Sequence, residues 1–502
     1  MPHSQLKEVW KGTKFLPKLK SLSLSYSHYL TCTPDFSGLL NLEKLFLHDC
    51  LNLVEVHESI DHLSKLDVFI LRGCRKLRNL PNGIGKLTSL ETFDITGCSQ
   101  LEELPEGIGN LTRLTSLRTV GTAIEELPAS FKFLKNLTTF EYSGPIQSHS
   151  YSLGGCFFEI LKKLATCFAP PMQSQSSSIP SQSYSLGIGK RNAALLSTSL
   201  YGLIILDLKE CNLTDDDIPD DLWKLCSLKE LDLSYNDFLT LPSSICQLSK
   251  LEKLSLWGCK SLQSLPMLPS SLCSLSARDC TLLERLNLSN LKHLRFLDLV
   301  ACSKLNEIEG LGGLESGEII EFVGCDNLDQ KMLFQEICED FQNRDICELY
   351  LSGSEIPEWF DYQNESPSLA SCQVTLLNNM DIRGLIVCTV HPSSEVPDLP
   401  DSKWVAVHNQ SKNSTWSRYK HFDCRDHIWV IKIPHCVWKS IADCGDIVNV
   451  SVEDRFPWAF GSVKKIGVHL FYLSHEKASK EIPKQPEAFN ALEYISYTAS
   501  TS

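Results

Sequence analysis

Leucines recur in a fixed frame along most of this chain. Aligned on the first apolar residue of Leu-x-x-Leu-x-Leu, the runs at Leu42, Leu66, Leu90 and Leu114 begin 24 residues apart. They read Leu42-Glu-Lys-Leu45-Phe-Leu47, Leu66-Asp-Val-Phe69-Ile-Leu71, Leu90-Glu-Thr-Phe93-Asp-Ile95 and Leu114-Thr-Ser-Leu117. The frame returns at Leu19, Leu137, Leu203, Leu228, Leu251, Leu272 and Leu294, with a degenerate copy at Gly317-Glu-Ile-Ile320-Glu-Phe322. Period-two alternation predicts a short strand in each unit, with leucines inward and the residues between them outward. The second half of many units reads Leu-Pro-x-x-Ile-x-x-Leu, as in Leu80-Pro81-Asn-Gly-Ile84-Gly-Lys-Leu87. There proline starts a short helical turn whose Ile and Leu face inward.

A sustained period of this length is the mark of a leucine-rich repeat. The expected fold is an α/β solenoid, a horseshoe of about a dozen units with a parallel sheet lining its concave side. Cys50, Cys74, Cys98, Cys211, Cys259, Cys280, Cys302 and Cys325 each lie eight residues after the start of their frame, where the motif takes Asn or Cys. Asn236 fills that place in another repeat. These cysteines are expected to be a reduced, buried ladder rather than a disulfide framework, and no Cys-x-x-Cys occurs. The array breaks between about 145 and 200. Gln173–Ser185 is too polar to pack and predicts a disordered loop. Phe157 to Leu164 has helical spacing.

Beyond Cys325 the frame stops. Leu328 to Phe341 suggests a capping helix, and from about Leu349 short alternating runs are broken by Pro, Gly, Asn and Asp. Cys372–Leu377, Gly384–Val390, Ile428–Ile433, Ile447–Val452 and Lys465–Tyr472 predict an all-β antiparallel sandwich. The expected organisation is a solenoid over 1–326, a helical connector over 327–348, the sandwich over 349–480 and a tail over 481–502. Six of the nine tryptophans fall in the last part. Most are expected in its core, with Trp404 and Trp416, in loop-like sequence, the better contact residues.

Composition narrows the function. The 43% hydrophobic and 22% charged fractions of the 502 residues suit folded domains. A net charge of −14 argues against a general nucleic-acid binder, which needs a basic footprint. The N-terminus lacks the pattern of a secretory signal, and no run is apolar enough to predict a membrane span. A cytoplasmic or nucleo-cytoplasmic location is expected, in which Asn110-Leu-Thr112, Asn136-Leu-Thr138 and Asn287-Leu-Ser289 are turn residues rather than glycosylation sites. Gly83-Ile-Gly85-Lys86 and Gly187-Ile-Gly189-Lys190 imitate phosphate loops, but Leu80 and Tyr184 stand where the first glycine is required. The cluster His421-Phe-Asp423-Cys424-Arg-Asp426-His427 matches no compact zinc spacing. No nucleophile elbow is present. No cofactor, metal or catalytic residue is expected, and the chain is not expected to be an enzyme.

The opening Met1-Pro-His-Ser-Gln-Leu6-Lys-Glu-Val-Trp10-Lys-Gly12 and the Gly-Cys-x-x-Leu units, as in Gly73-Cys74-Arg-Lys-Leu77 and Gly258-Cys259-Lys-Ser-Leu262, resemble plant TIR-type nucleotide-binding leucine-rich-repeat immune receptors. So do Gly353-Ser-Glu-Ile356-Pro-Glu-Trp359-Phe360, Gly384-Leu-Ile-Val-Cys388 and Lys465-Ile-Gly467-Val-His469-Leu470, which resemble their post-repeat C-terminal jelly-roll/Ig-like domain. The family's NAD-cleaving TIR domain and nucleotide-binding switch are absent from this chain, so neither activity is carried over. The resemblance implies recognition of a pathogen effector or a guarded host protein, with the nucleotide-binding part of a receptor as a further partner. An adaptor presenting a substrate to a separate enzyme is the alternative. From the strand frame, Phe46, Arg72, Lys253, Trp257, Arg278 and Phe296 are the outward candidates for partner contact, joined by Trp404 and Trp416. The competing role for each is packing against a neighbouring repeat.

Overall fold

The computed structural model describes residues 2–143, 202–329 and 348–472, except 126, 216, 219, 315–316, 357, 359, 365–370, 376–381, 392–400, 423–426, 434–437, 439, 444–445, 455–462 and 464. The helical segment near 157–164, the Ser/Gln-rich stretch, the connector helix, the second phosphate-loop imitation and the centre of the His/Asp/Cys cluster lie outside these residues.

Two compact units are present. The first comprises Met1–Glu355 with Val390–Asp398 and Asp423–Ile431. Its three-residue strands are β1 (Ser21–Ser23), β2 (Lys44–Phe46), β3 (Val68–Ile70), β4 (Thr92–Asp94), β5 (Ser116–Arg118), β6 (Thr139–Glu141), β7 (Ile205–Asp207), β8 (Glu230–Asp232), β9 (Lys253–Ser255), β10 (Ser274–Ser276), β11 (Arg285–Asn287), β12 (Phe296–Asp298), β13 (Glu307–Glu309) and β14 (Ile319–Glu321). All but β11 and β13 form one parallel ladder in which equivalent frame positions are paired, such as Leu45 with Phe69 and Leu254 with Leu275. The middle residue of every ladder strand is buried, so one apolar side chain per unit stacks on the next and closes a continuous core. This is the leucine-rich-repeat solenoid that the period predicts.

The helical halves correct the expected α/β class in one respect. Among the described residues of the solenoid they are 3-10 turns, not α-helices: Glu58–His62, Asn82–Lys86, Glu106–Asn110, Ala129–Phe133, Asp220–Lys224 and Ser243–Gln247. Prolines 81, 105, 128 and 242 cap four of them at φ −65° to −60°. The chain must then reach the next leucine within a few residues, and the tighter i to i+3 bond closes that distance: the Leu87 N–H donates to the Ile84 carbonyl at 3.0 Å. Where the Leu-Pro pattern gives way after Leu283, the second half becomes extended and β11 pairs in parallel with β13.

The ladder does not stop at β14. Strand β15 (Glu348–Ser352) pairs in parallel with it, and β15 in turn pairs antiparallel with His427–Ile431 of β21 (His427–Ile433). Leu349, Leu351, Trp429 and Val430 are buried there.

The second unit comprises Ile356–Thr389, Leu399–Phe422 and Lys432–Ser502. In it β17 (Ser371–Thr375), β22 (Ile447–Asp454), β19 (Asp401–Asn409) and β20 (Ser414–Phe422) form an antiparallel sheet in that order. Another antiparallel pair joins β16 (Tyr362–Asn364) to β23 (Lys465–Tyr472), and between β17 and β19 the chain forms β18 (Ile382–His391). Val374, Val405, Val407, Val448 and Val450 are fully buried. Buried Asn409 ties the end of β19 to the segment that leads into β22, donating to the Ile441 carbonyl at 2.8 Å and to Asp446 Oδ2 at 2.7 Å.

Candidate protein-binding face

On each ladder strand the first and third residues point away from the leucine core, and the residue two further on continues the same side of the chain. Strand pairing therefore assembles three rows across the open face of the sheet. The third-residue row runs Ser23, Phe46, Ile70, Asp94, Arg118, Glu141, Asp207, Asp232, Ser255, Ser276, Asp298 and Glu321. Neighbours in it are one strand spacing apart, about 4.8 Å.

Charge in this row is concentrated and partly desolvated. Arg118 Nε pairs with Glu141 Oε1 at 3.1 Å. Burial, reinforced by the Asp232 charge, raises the Asp207 carboxyl from 3.8 to about 7. Burial and the Glu321 charge raise Asp298 to about 6, against the opposing pull of Arg278. Arg278 Nη1 lies 3.9 Å from each of Asp298 and Glu321.

Among the described residues a left-handed residue follows the outer row of the ladder repeats, at Tyr26, Asp49, Gly73, Gly97, Gly121, Glu210, Tyr235, Gly258, Asp279, Ala301 and Gly324. At successive repeats this turn builds an aromatic step. Tyr235 and Trp257 have ring centroids 5.5 Å apart, inclined at 46°, and Trp257 Nε1 donates to Asp279 Oδ2 at 3.0 Å. Gly258 stands at φ +71°, and a Cβ there would lie 2.7 Å from the Tyr235 ring. Only glycine meets both demands. Lys209 Nζ sits 5.1 Å from the centre of the Tyr235 ring, within cation–π range.

The sequence candidates fall as follows. Trp257 and Arg278 are half-buried on this face and tied to neighbouring repeats. Phe296 is half-buried on β12, and Phe46 is half-buried and stacked 6.0 Å from His48. Arg72 and Lys253 are exposed, Lys253 pairing with Glu230 at 2.9 Å. Trp404 and Trp416 do not lie in loops, as their surroundings suggested, but on β19 and β20. The polar residues that looked loop-like alternate along paired strands, with Val407 opposite Trp416. Trp416 is half-buried. The rows bring the six solenoid candidates onto one sheet but spread them from β2 to β12. No single repeat displays the carboxylate row; it emerges only when the fifth residue of each frame is followed down the repeats.

A family model for the leucine-rich repeat matches residues 227–248. Over 310 residues the chain is 33% identical to TMV resistance protein N of Nicotiana glutinosa, covering 55% of this chain and 27% of that protein. It is 32% identical over 410 residues to Disease resistance-like protein DSC1 of Arabidopsis thaliana, covering 74% and 32%. Disease resistance protein RPS6 of Arabidopsis thaliana is 29% identical over 412 residues, covering 79% and 33%. Its homologues are plant TIR-type nucleotide-binding leucine-rich-repeat disease-resistance proteins. The chain spans about a third or less of the length of these resistance proteins. Among solved structures, the leucine-rich-repeat protein LIC12759 of Leptospira interrogans matches 66% of this chain and 92% of its own at 18% identity and a TM-score of 0.38. So loose a superposition adds nothing to the strand pairing. Among the described residues no helix is long and apolar enough to cross a membrane, and no group of His, Cys, Asp or Glu is arranged to hold a metal ion.

Proposed function

We propose that this chain is the recognition portion of a cytoplasmic plant immune receptor, binding a pathogen effector or a guarded host protein through the open face of its repeat sheet. The C-terminal antiparallel unit, read as a jelly-roll/Ig-like domain, contributes further contacts through residues such as Trp416. The observation that carries this reading is the Trp257 step. A large aromatic side chain is left half in solvent yet is held rigidly by Asp279 and Tyr235, so little side-chain freedom remains to be lost when a partner covers it. Aromatic residues and arginine dominate interface energetics, and Arg278 follows one strand later. Solenoid sheets suit such a role because outward residues vary without disturbing the stacked core.

The test contrasts an outward with an inward residue. Trp257→Ala should weaken binding of a verified protein partner by about 1–3 kcal/mol and cost only about 1 kcal/mol of stability through the lost Tyr235 contact. Leu254→Ala, on the same strand but 2% exposed, should destabilise the fold by about 2–5 kcal/mol. Calorimetric binding and thermal melts of both variants read the two effects separately. Unchanged affinity in Trp257→Ala would remove the face from recognition.

A further inference from the structure

The four-stranded antiparallel sheet of the second unit ends in β20, whose nine residues pair with β19 in unbroken register from Asp401–Phe422 to Asn409–Ser414. Among the described residues β19 is its one strand neighbour. Its other edge therefore presents a row of backbone donors and acceptors about 30 Å long. Proteins usually blunt such an edge with a proline, a bulge or a short strand. None of these occurs in Ser414-Thr-Trp416-Ser-Arg418-Tyr-Lys420-His-Phe422, whereas β17, at the opposite side of the sheet, has only five residues. The β20 edge is also held in place. Asn409 Oδ1 accepts the Ser411 and Lys412 N–H groups at 2.8 and 3.1 Å, and Ser414 Oγ donates to the Ile441 carbonyl at 3.0 Å, so both ends of the hairpin turn are fixed. Val405 and Val407, paired with Arg418 and Trp416, are fully buried.

Charge selects the occupant. The chain carries a net −14, yet the hairpin Asp401–Phe422 holds Lys403, Lys412, Arg418 and Lys420 against a single acid, Asp401. Lys412 is engaged by Asp443. Arg418 is exposed, and Lys420 follows two residues along on the same face of β20, opposite Lys403. A second copy of the chain set edge to edge would bring these cations against one another, which is unfavourable, whereas a strand with acids at alternate positions would meet them with the opposite charge. We infer that β20 is a docking edge for an extended acidic segment of a protein partner, which adds to the sheet as a further strand. Main-chain hydrogen bonds supply the affinity of strand addition and alternate side chains its selectivity. Half-buried Trp416, on the same face as Arg418, adds an apolar contact. The inference rests on the recognition role proposed for the C-terminal unit and specifies the chemistry of what that unit binds. Cations beside aromatic residues also serve single-stranded nucleic acids, so an oligonucleotide is one arm of the test.

The test uses the full chain and short fluorescein-labelled peptides: one alternating glutamate with valine, one with glutamine in place of glutamate, and one that keeps glutamate but has an N-methylated backbone. Fluorescence anisotropy should show the glutamate peptide binding, with affinity falling as salt is raised, and the other two binding at least about tenfold more weakly. Hydrogen exchange should slow in Ser414–Phe422 when the glutamate peptide is bound. The double variant Arg418→Glu, Lys420→Glu should lose that peptide and gain one alternating lysine with valine. Lys65→Glu, Lys76→Glu, exposed on the solenoid, should change neither. Melting of each variant verifies the fold; if the β20 variant does not fold, exchange and the N-methylated peptide decide on the parent chain. Absence of glutamate-peptide binding, equal binding of the N-methylated peptide, protection outside β20 alone, or tighter binding of an oligothymidylate overturns the inference. A protein partner that needs Trp257 yet ignores the β20 variant would leave recognition by the sheet face standing and remove this docking edge. Peptide addition at β20, with partner binding indifferent to Trp257→Ala, would do the reverse.

Discussion

At the scale of single residues, the molecule separates side chains whose role is fixed by frame position from those fixed by their neighbours. Every ladder cysteine is at most 4% exposed. Each donates its thiol to a carbonyl near the preceding strand, as Cys74 to Leu47 at 3.1 Å and Cys280 to Leu256 at 3.1 Å. Asn236 fills the equivalent place with more bonds, its amide donating to Leu208 and Leu233 while its oxygen accepts from Cys211 and Leu213. Asp207 is different, because nothing in its own repeat announces an altered acidity. Burial and Asp232 raise its carboxyl from 3.8 to about 7, so between those values the folded state holds more protons than the unfolded one. Its contribution to stability is therefore greatest in acid and is lost as pH rises toward 7. Asp207→Asn keeps the acceptor for the Lys209 N–H and removes the titration. The variant should melt higher than the parent at pH 8, and its melting temperature should change less between pH 5 and pH 8. Equal pH dependence in scanning calorimetry would refute this account of Asp207.

At the scale of elements, stacking between repeats decides more than the propensity within any one of them. A three-residue strand or a five-residue 3-10 turn has no independent stability. Each forms because its neighbour supplies the other half of its contacts. Gly85 and Gly107 show how close this stacking is: a Cβ on Gly85 would lie 2.7 Å from the Gly107 carbonyl oxygen. The glycines of the phosphate-loop imitation are thus explained by the approach of two turns, not by a ligand. Gly85→Ala should lower stability by about 1–3 kcal/mol through overpacking. Gly313→Ala, where a Cβ would meet nothing within 4 Å, should be nearly neutral. Urea titration of the two variants provides the comparison, and equal midpoints would contradict the stacking geometry. Strand legibility followed the same logic. The alternation of Lys465–Tyr472 has the bounds of β23, whereas no comparable alternation marks β19 and β20. Lys403, His408, Ser417 and Lys420 interrupt their apolar pattern, and the hydrogen bonds that hold such polar strands come from partners distant in sequence.

At the scale of the whole molecule, the ladder cysteines span the solenoid from Cys50 to Cys325, so their protection reports on the entire stack. Burial pushes the Cys259 thiol up to about 11 and raises Cys280 further, which suppresses the reactive thiolate. Brief alkylation of the native protein should modify exposed Cys226 and Cys246 and spare the ladder until the solenoid unfolds; mass-spectrometric detection of early labelling at Cys74 or Cys259 would show the repeat register to be wrong. Sequence alone determined that register, the inward leucines, the cysteine ladder and the outward identity of Phe46, Arg72, Lys253, Trp257, Arg278 and Phe296, because each repeats with the period of the fold. Tertiary structure alone decided which outward residues share solvent and which share charge. It set Trp257 against Tyr235 and Asp279, placed Arg278 between Asp298 and Glu321, and set Asp207 between Glu141 and Asp232. It also carried the parallel ladder on into β15 and against β21, a pairing between segments nearly eighty residues apart. The physical reason is common to all of these. Burial of an apolar side chain depends on its place in a period, whereas acidity, ion pairing and strand addition depend on which side chains and strand edges adjacent repeats or distant segments bring within a few ångströms.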